Sequence, residues 1–249
     1  MRKNNLTAKL AMGLYAMVLG TAEPSAKAAS PRLPQDALPI PLVRQQSDHS
    51  CGPAVLVAVL RYFQVWDGPE TNLHRLLGTS ADQGTLPEAI AFGARRFGLQ
   101  ASVEQPMTLV QLQSAVRAGK PVILELQAWR DPKGRRESWL NNWDDGHYVV
   151  LTGMDHQYAY FMDPSTDNAY TYVPLQELLS RWHDVNPVRG PRSQHDYHLG
   201  IVISAPASIA ASSMASSEAT LRSYSMMPVW SNMKATEPVS PRLPPDLVK

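Results

Sequence analysis

The sequence predicts an α+β domain: a buried central helix laid on a mostly antiparallel sheet. Three observations predict it. Residues Pro53 to Phe63 are apolar nearly all round, the mark of a helix covered on every side rather than along one stripe. Helical patterns fill the chain up to Gly119, and short runs rich in β-branched and aromatic residues follow it. Two of those runs are separated only by "DHQ" at 155–157, a spacing that joins antiparallel neighbours. Helices first and hairpin-linked strands afterwards place helices against one sheet.

The elements follow in order. After the central helix, "TLPEAIAFGARRF" (85–97) opens with Thr85 and Glu88 in capping-box spacing. "TLVQLQSAVRAG" (108–119) repeats the device with Thr108 and Gln111 and stops at Gly119. Strands are expected at 121–129, 147–154, 158–163, 169–173 and 197–204, with a turn at 164–168 and one more helix at 175–182.

The ends differ from this middle. A basic start (Arg2, Lys3, Lys9), an apolar stretch at 10–20 and "AKA" at 26–28 have the layout of a cleavable export signal over residues 1–28. The alternative is an uncleaved amphipathic anchor. The apolar stretch is shorter than the roughly 20 residues a membrane-crossing helix needs, so no permanent membrane span is expected. Residues 29–39 read as an extended lead-in, 40–203 as the folded domain, and 204–249, rich in Ser, Ala and Pro, as a disordered tail. "SPRLP" occurs at both 30–34 and 240–244; a chance match between proline-rich linkers and a shared docking motif are the two readings. Removing 1–28 takes Arg2, Lys3, Lys9, Lys27 and the single acid Glu23, so the formal charge moves from +1 to −2. No basic field for nucleic acid results. Location in a periplasm or outside the cell is the expectation.

The chain has one cysteine, Cys51, directly before Gly52 and Pro53. Proline is favoured in the first turn of a helix, which puts the thiol at the helix N-terminus, where free N–H groups and the macrodipole favour an anion. The bland alternative is a small apolar filler, but a filler belongs mid-helix among the valines. In an oxidising compartment a lone cysteine is either an intermolecular bridge or a free reactive thiol.

A cysteine nucleophile needs a histidine, and that histidine needs a third group to orient it. His147 opens a strand after Gly146. Asp163 closes the next strand, and Pro164 holds it extended. With a hairpin between them, the start of the first strand and the end of the second lie side by side, so His147 and Asp163 are predicted neighbours. Singly, His147 is equally a strand-edge histidine and Asp163 equally a turn residue bonding its own backbone. Together with Cys51 they have the roles of nucleophile, general base then acid, and orienting group.

These residues carry a resemblance. "QSDHSCGPAVL", "GHYVVLTG" and "MDPS" resemble the C39 family of papain-like cysteine peptidases, known for cutting bacteriocin leader peptides, over roughly 40–203. The resemblance implies a papain-like fold, with a Cys51, His147, Asp163 triad and no cofactor. It further implies that Gln45, six positions before the cysteine, joins the backbone N–H of Cys51 in the oxyanion hole; Gln46 is one position out of register. Ser50 stands where transporter-fused members commonly carry an acid, and no membrane spans or nucleotide-binding motif follow, so the chain is more similar to stand-alone exported members.

Other candidates carry less. His183 in "RWHD" follows a helix, where it either lines the cleft or, the favoured reading, is a partly exposed helix-end residue. His195 and His198 have a metal-compatible spacing but no second ligand pair, so no metal site is expected. The loop 130–145 holds Trp139 and Trp143, either as a substrate-gripping lid or as aromatic side chains folded onto the domain. The expected function is exported cysteine peptidase on a peptide or protein substrate. The rivals are a non-catalytic substrate-binding module and another thiol-dependent acyl transfer, such as transglutamination or cell-wall amide hydrolysis. No feature sets the oligomeric state.

Overall fold

The computed structural model describes residues 31–129, 138–167, 169–186, 194–207 and 225–228. The export-signal stretch, residues 130–137 of the 130–145 loop, most of the tail and the second "SPRLP" lie outside the described residues.

Helix α1 (Cys51–Tyr62) is buried without interruption from Cys51 to Leu60. It starts two residues ahead of Pro53, at the cysteine itself, which leaves the proline in the first turn where its missing N–H costs nothing. Past Phe63 the chain turns out through Gln64 at φ 56°, and Arg61 is tied to Asp67 at 2.7 Å. Helix α2 (Thr71–Leu77) buries only Leu73 and Leu77, too few positions to show a period in sequence. Helix α3 (Pro87–Arg96) corrects an expectation: Leu86 is its N-cap and no side chain caps it. Pro87 takes the first helical position, and the Thr85 hydroxyl is drawn instead to Thr79 Oγ1 at 2.8 Å. Helix α4 (Leu109–Arg117) does carry the predicted box, with Thr108 Oγ1 accepting from the Gln111 N–H and Gln111 Oε1 accepting from the Thr108 N–H. Helix α5 is Leu175–Arg181.

The strands are β1 (Gln100–Glu104), β2 (Val122–Gln127), β3 (Gly146–Met154), β4 (Tyr158–Met162), β5 (Ala169–Pro174), β6 (His183–Asn186), β7 (Gln194–Tyr197), β8 (Gly200–Ser204) and β9 (Ser225–Pro228). One sheet runs β1-β8-β2-β3-β4-β5-β9, antiparallel except where β9 lies parallel on β5; β6 and β7 form a separate hairpin. The fold is thus α+β with a mostly antiparallel sheet, as predicted. The expected strand at 197–204 is interrupted, because His198 adopts φ 55° and ends β7 before β8 begins. Ser225–Pro228 lies within the stretch read as a disordered tail, yet it pairs with β5 from Ala169 to Tyr172.

The core forms where α1 lies against β3. Val55, Leu56 and Val59 share one buried cluster with Ile123, Val149 and Leu151. Each such side chain contributes about 1.5–3 kcal/mol on leaving water, and together they fix how the start of α1 faces the start of β3. The lead-in is also seated: Leu38 N–H donates to Thr152 O at 2.7 Å, and Ala37 and Pro34 close over Gly153, where a Cβ would meet Ala37 Cβ at 3.1 Å.

Candidate active site

Cys51 is the first residue of α1 and is 9% exposed. Ser50, the N-cap, makes no capping bond. Its hydroxyl instead closes the preceding turn, accepting from Ser47 N–H at 2.9 Å and donating to Ser47 O at 3.0 Å. Gly52 is required by close approach: a Cβ there would lie 2.6 Å from Thr85 Cβ and Oγ1.

His147 and Asp163 meet. The antiparallel register of β3 and β4, with Val150 opposite Met162, sets the start of one beside the end of the other. His147 Nε2 lies 2.9 Å from Asp163 Oδ1, and both side chains are buried. The same Oδ1 accepts from Ser165 N–H and Ser165 Oγ, each at 2.8 Å, so Asp163 is at once a turn residue and the histidine's partner. With Nε2 taken, Nδ1 is the ring nitrogen left for the sulfur. Trp129 covers the ring at 4.9 Å between centroids.

Electrostatics favour the imidazolium. Burial alone lowers the His147 pKa, but the Asp163 carboxylate and then the hydrogen bond and charge of Cys51 outweigh it, and the value is pushed up to about 10. A cation therefore sits between sulfur and carboxylate.

Gln45 lies on the loop ahead of Cys51. Its backbone N–H donates to Pro164 O at 2.8 Å, which ties this loop to the turn that follows Asp163. Its side-chain Nε2 donates to Ser47 O at 2.8 Å, and its Oε1 is buried without a hydrogen-bond partner.

A cavity of about 420 Å³ opens at Cys51 and His147. Asp48, Asp82, Glu125, Asp144 and Asp184 line it, and among the described lining residues there is no lysine or arginine. Glu125 and Asp184 lie close enough for each carboxyl to act on the other. Burial first, and then the charge of Asp184, holds Glu125 well above the usual carboxylate range; burial also raises Asp184. Asp184 lies over Gly146, where a Cβ would stand 1.9 Å from its Oδ2.

Sequence reasoning missed several of these residues. Gln127 is buried: it donates to His183 O and Asp184 Oδ1, both at 3.1 Å, and accepts from Asp145 N–H at 3.0 Å. It thereby joins the hairpin β6–β7 to the segment leading into His147. Tyr148 donates to Thr85 O at 2.9 Å, fixing the opposite wall. His183 corrects an expectation: it is buried in β6, with Nε2 2.8 Å from Asn142 O, while its neighbour Asp184 faces the cavity. His195 stacks on Trp143 at 4.3 Å and His198 on Trp182 at 4.9 Å. No group of metal-ligating side chains occurs among the described residues. The two tryptophans of the 130–145 loop part company. Trp139 is buried under the Arg181 guanidinium, 3.6 Å from its ring centroid, and Trp143 lines the cavity.

With fold and geometry in hand, comparison with known proteins gives the class. The model of the Peptidase_C39 like family matches residues 37–188, and the chain belongs to that family. No curated protein sequence matches the chain. Among solved structures it is similar to a double glycine motif protease from an AMS/PCAT transporter in complex with the leader peptide. That likeness has 20% identity and TM-score 0.49, covering 70% of this chain and 97% of the other. It is similar too to the peptidase domain of Streptococcus ComA, a bi-functional ABC transporter involved in a quorum sensing pathway, with 22% identity and TM-score 0.48, covering 67% and 99%. A third is a putative C39-like peptidase from Bacillus anthracis, with 17% identity and TM-score 0.49, covering 68% and 97%.

Proposed function

We propose that the protein is an exported cysteine peptidase that cuts a peptide or protein substrate through Cys51, His147 and Asp163. The observation that carries this is the buried His147, bonded to Asp163 at 2.9 Å, its pKa raised by Cys51 as well as by Asp163, with Cys51 and His147 lining one cavity. Family membership supports the same chemistry.

In this reading the sulfur attacks the scissile carbonyl. The backbone N–H of Cys51 stabilises the developing oxyanion, joined by the second N–H of Gln45 Nε2, the one not donated to Ser47 O. His147 then passes its proton to the leaving amine. Water, deprotonated by the now neutral imidazole, releases the acyl group and restores the thiol. Asp163 keeps the ring in one orientation throughout. Export rests on the basic, apolar and small-residue layout of residues 1–28, and the substrate is then a polypeptide of the same compartment.

The test compares the exported peptides of cells carrying the native protein with those carrying Cys51→Ala, alongside labelling of purified protein by a thiol-directed probe. The expected result is a cleavage that disappears with Cys51→Ala, and labelling that falls at least about tenfold in His147→Ala. Identical peptide profiles together with equal labelling would reduce the thiol to a filler and leave a binding module.

A further inference from the structure

The loop carrying Gln45 is held by a residue with no part in the chemistry above. Glu70 stands immediately before α2, 3% exposed, and its Oε1 accepts the backbone N–H of Gln46 at 2.8 Å. Its other oxygen, Oε2, is buried without a hydrogen-bond partner. His74 Nε2 lies 3.8 Å from Oε1, beyond hydrogen-bond length. A carboxylate so far withdrawn from water and so sparsely bonded is costly to a fold, which directs attention to what its one short bond does.

That bond completes a clamp. The preceding amide, Gln45 N–H, donates to Pro164 O on the opposite side. Two successive N–H groups are therefore pinned to different walls, one to the turn of Asp163 and one to Glu70. Beyond them the loop closes on itself through Ser47 and Ser50 and reaches Cys51. His49 within it meets the His74 ring edge-on at 6.2 Å, so α2 borders the loop twice.

We propose that Glu70 is a positioning residue: its carboxylate fixes the Gln45–Cys51 loop, and through it the placing of the Gln45 side-chain amide relative to the Cys51 sulfur. This rests on the peptidase reading. Its side-chain bonds go to the loop backbone and not to the sulfur or the imidazole, so its loss disturbs oxyanion stabilisation while leaving the Cys51–His147 pair in place.

Glu70→Ala and Glu70→Gln in the full chain test it, read by hydrogen exchange at the Gln46 amide, by kcat and KM on a cleaved peptide, and by the pH profile of Cys51 alkylation. Glu70→Ala is expected to speed Gln46 exchange at least about tenfold and to lower kcat about 10–100-fold, with KM moving less than about threefold and the alkylation profile unchanged. Glu70→Gln, which keeps an acceptor, recovers most of kcat. Should Glu70→Ala not fold, Glu70→Asp, whose shorter side chain withdraws the acceptor, carries the same expectation. Native Gln46 exchange in Glu70→Ala, a kcat within about twofold of native, or equal damage in Glu70→Gln and Glu70→Ala overturns the proposal. Absence of any Cys51-dependent turnover in the native protein would instead count against the peptidase reading, while Gln46 exchange in the variants still judges Glu70.

Discussion

The contact between His147 and Asp163 sets how single residues respond to pH. The imidazole's pKa is raised on folding, so its contribution to stability is complete below its ordinary value of 6.5 and is lost as pH climbs through about 10. On the proposed mechanism, the proton passed to the leaving amine is lost over the same alkaline range. In Asp163→Asn the carboxylate charge is gone and burial, which lowers the value, gains weight. The alkaline limb of Cys51 alkylation should then move down by about 1–3 pH units. An unmoved limb would mean that Asp163 only shapes its turn through Ser165. Cys51, His147 and Asp163 were legible as candidates because each ends or begins an element and has a local signature. Glu125, Gln127 and Asp184 were not. Glu125 sits inside "VILELQ", where both faces of the strand are covered and alternation gives no cue. Gln127 and Asp184 gain their meaning from partners distant in sequence, among them each other, 57 positions apart.

Among the elements, those legible in advance were the ones whose own residues decide them. Helix α1 is apolar on every side, the hairpin between β3 and β4 is set by a three-residue link, and α4 is capped by its own side chains. Replacing Thr108 with alanine removes the acceptor for the Gln111 N–H and should cost about 1 kcal/mol, seen as a lower urea midpoint with an unchanged slope. A midpoint equal to that of the native protein would show that Leu112 and Val116, buried beneath α4, hold it without the cap. The elements that escaped notice, α2, β1 and the hairpin β6–β7, are short and are stabilised by what they lie against. "QASVE" has little β-branched content and becomes a strand because β8 pairs with it from Gln100 to Glu104. The Thr85 box failed for a comparable reason, since Pro87 and Thr79 both compete for the residues that would have formed it.

Across the whole molecule, charge is unevenly spread. The sequence is close to neutral, at +1, yet five carboxyl groups gather at one cavity. Such a cleft draws cationic peptides, and the attraction is screened by salt. Of two substrates differing by Lys or Glu beside the scissile bond, the lysine peptide should have the lower KM. The difference should shrink as ionic strength rises from about 0.01 M to about 1 M, where the screening length falls from roughly 30 Å to 3 Å. Equal KM values at low salt would mean that protonation has already silenced these acids.

The parallel strand β9 has a further consequence for how copies of the chain behave in a crowded solution. A terminal strand of a sheet offers a row of open N–H and C=O groups on which another molecule can build. By returning Ser225–Pro228 to the flank of β5, the chain covers β5 and makes a four-residue strand ending in a proline the terminal one on the side farthest from β1, and so short an edge, with a proline in it, offers little for a neighbouring copy to build on.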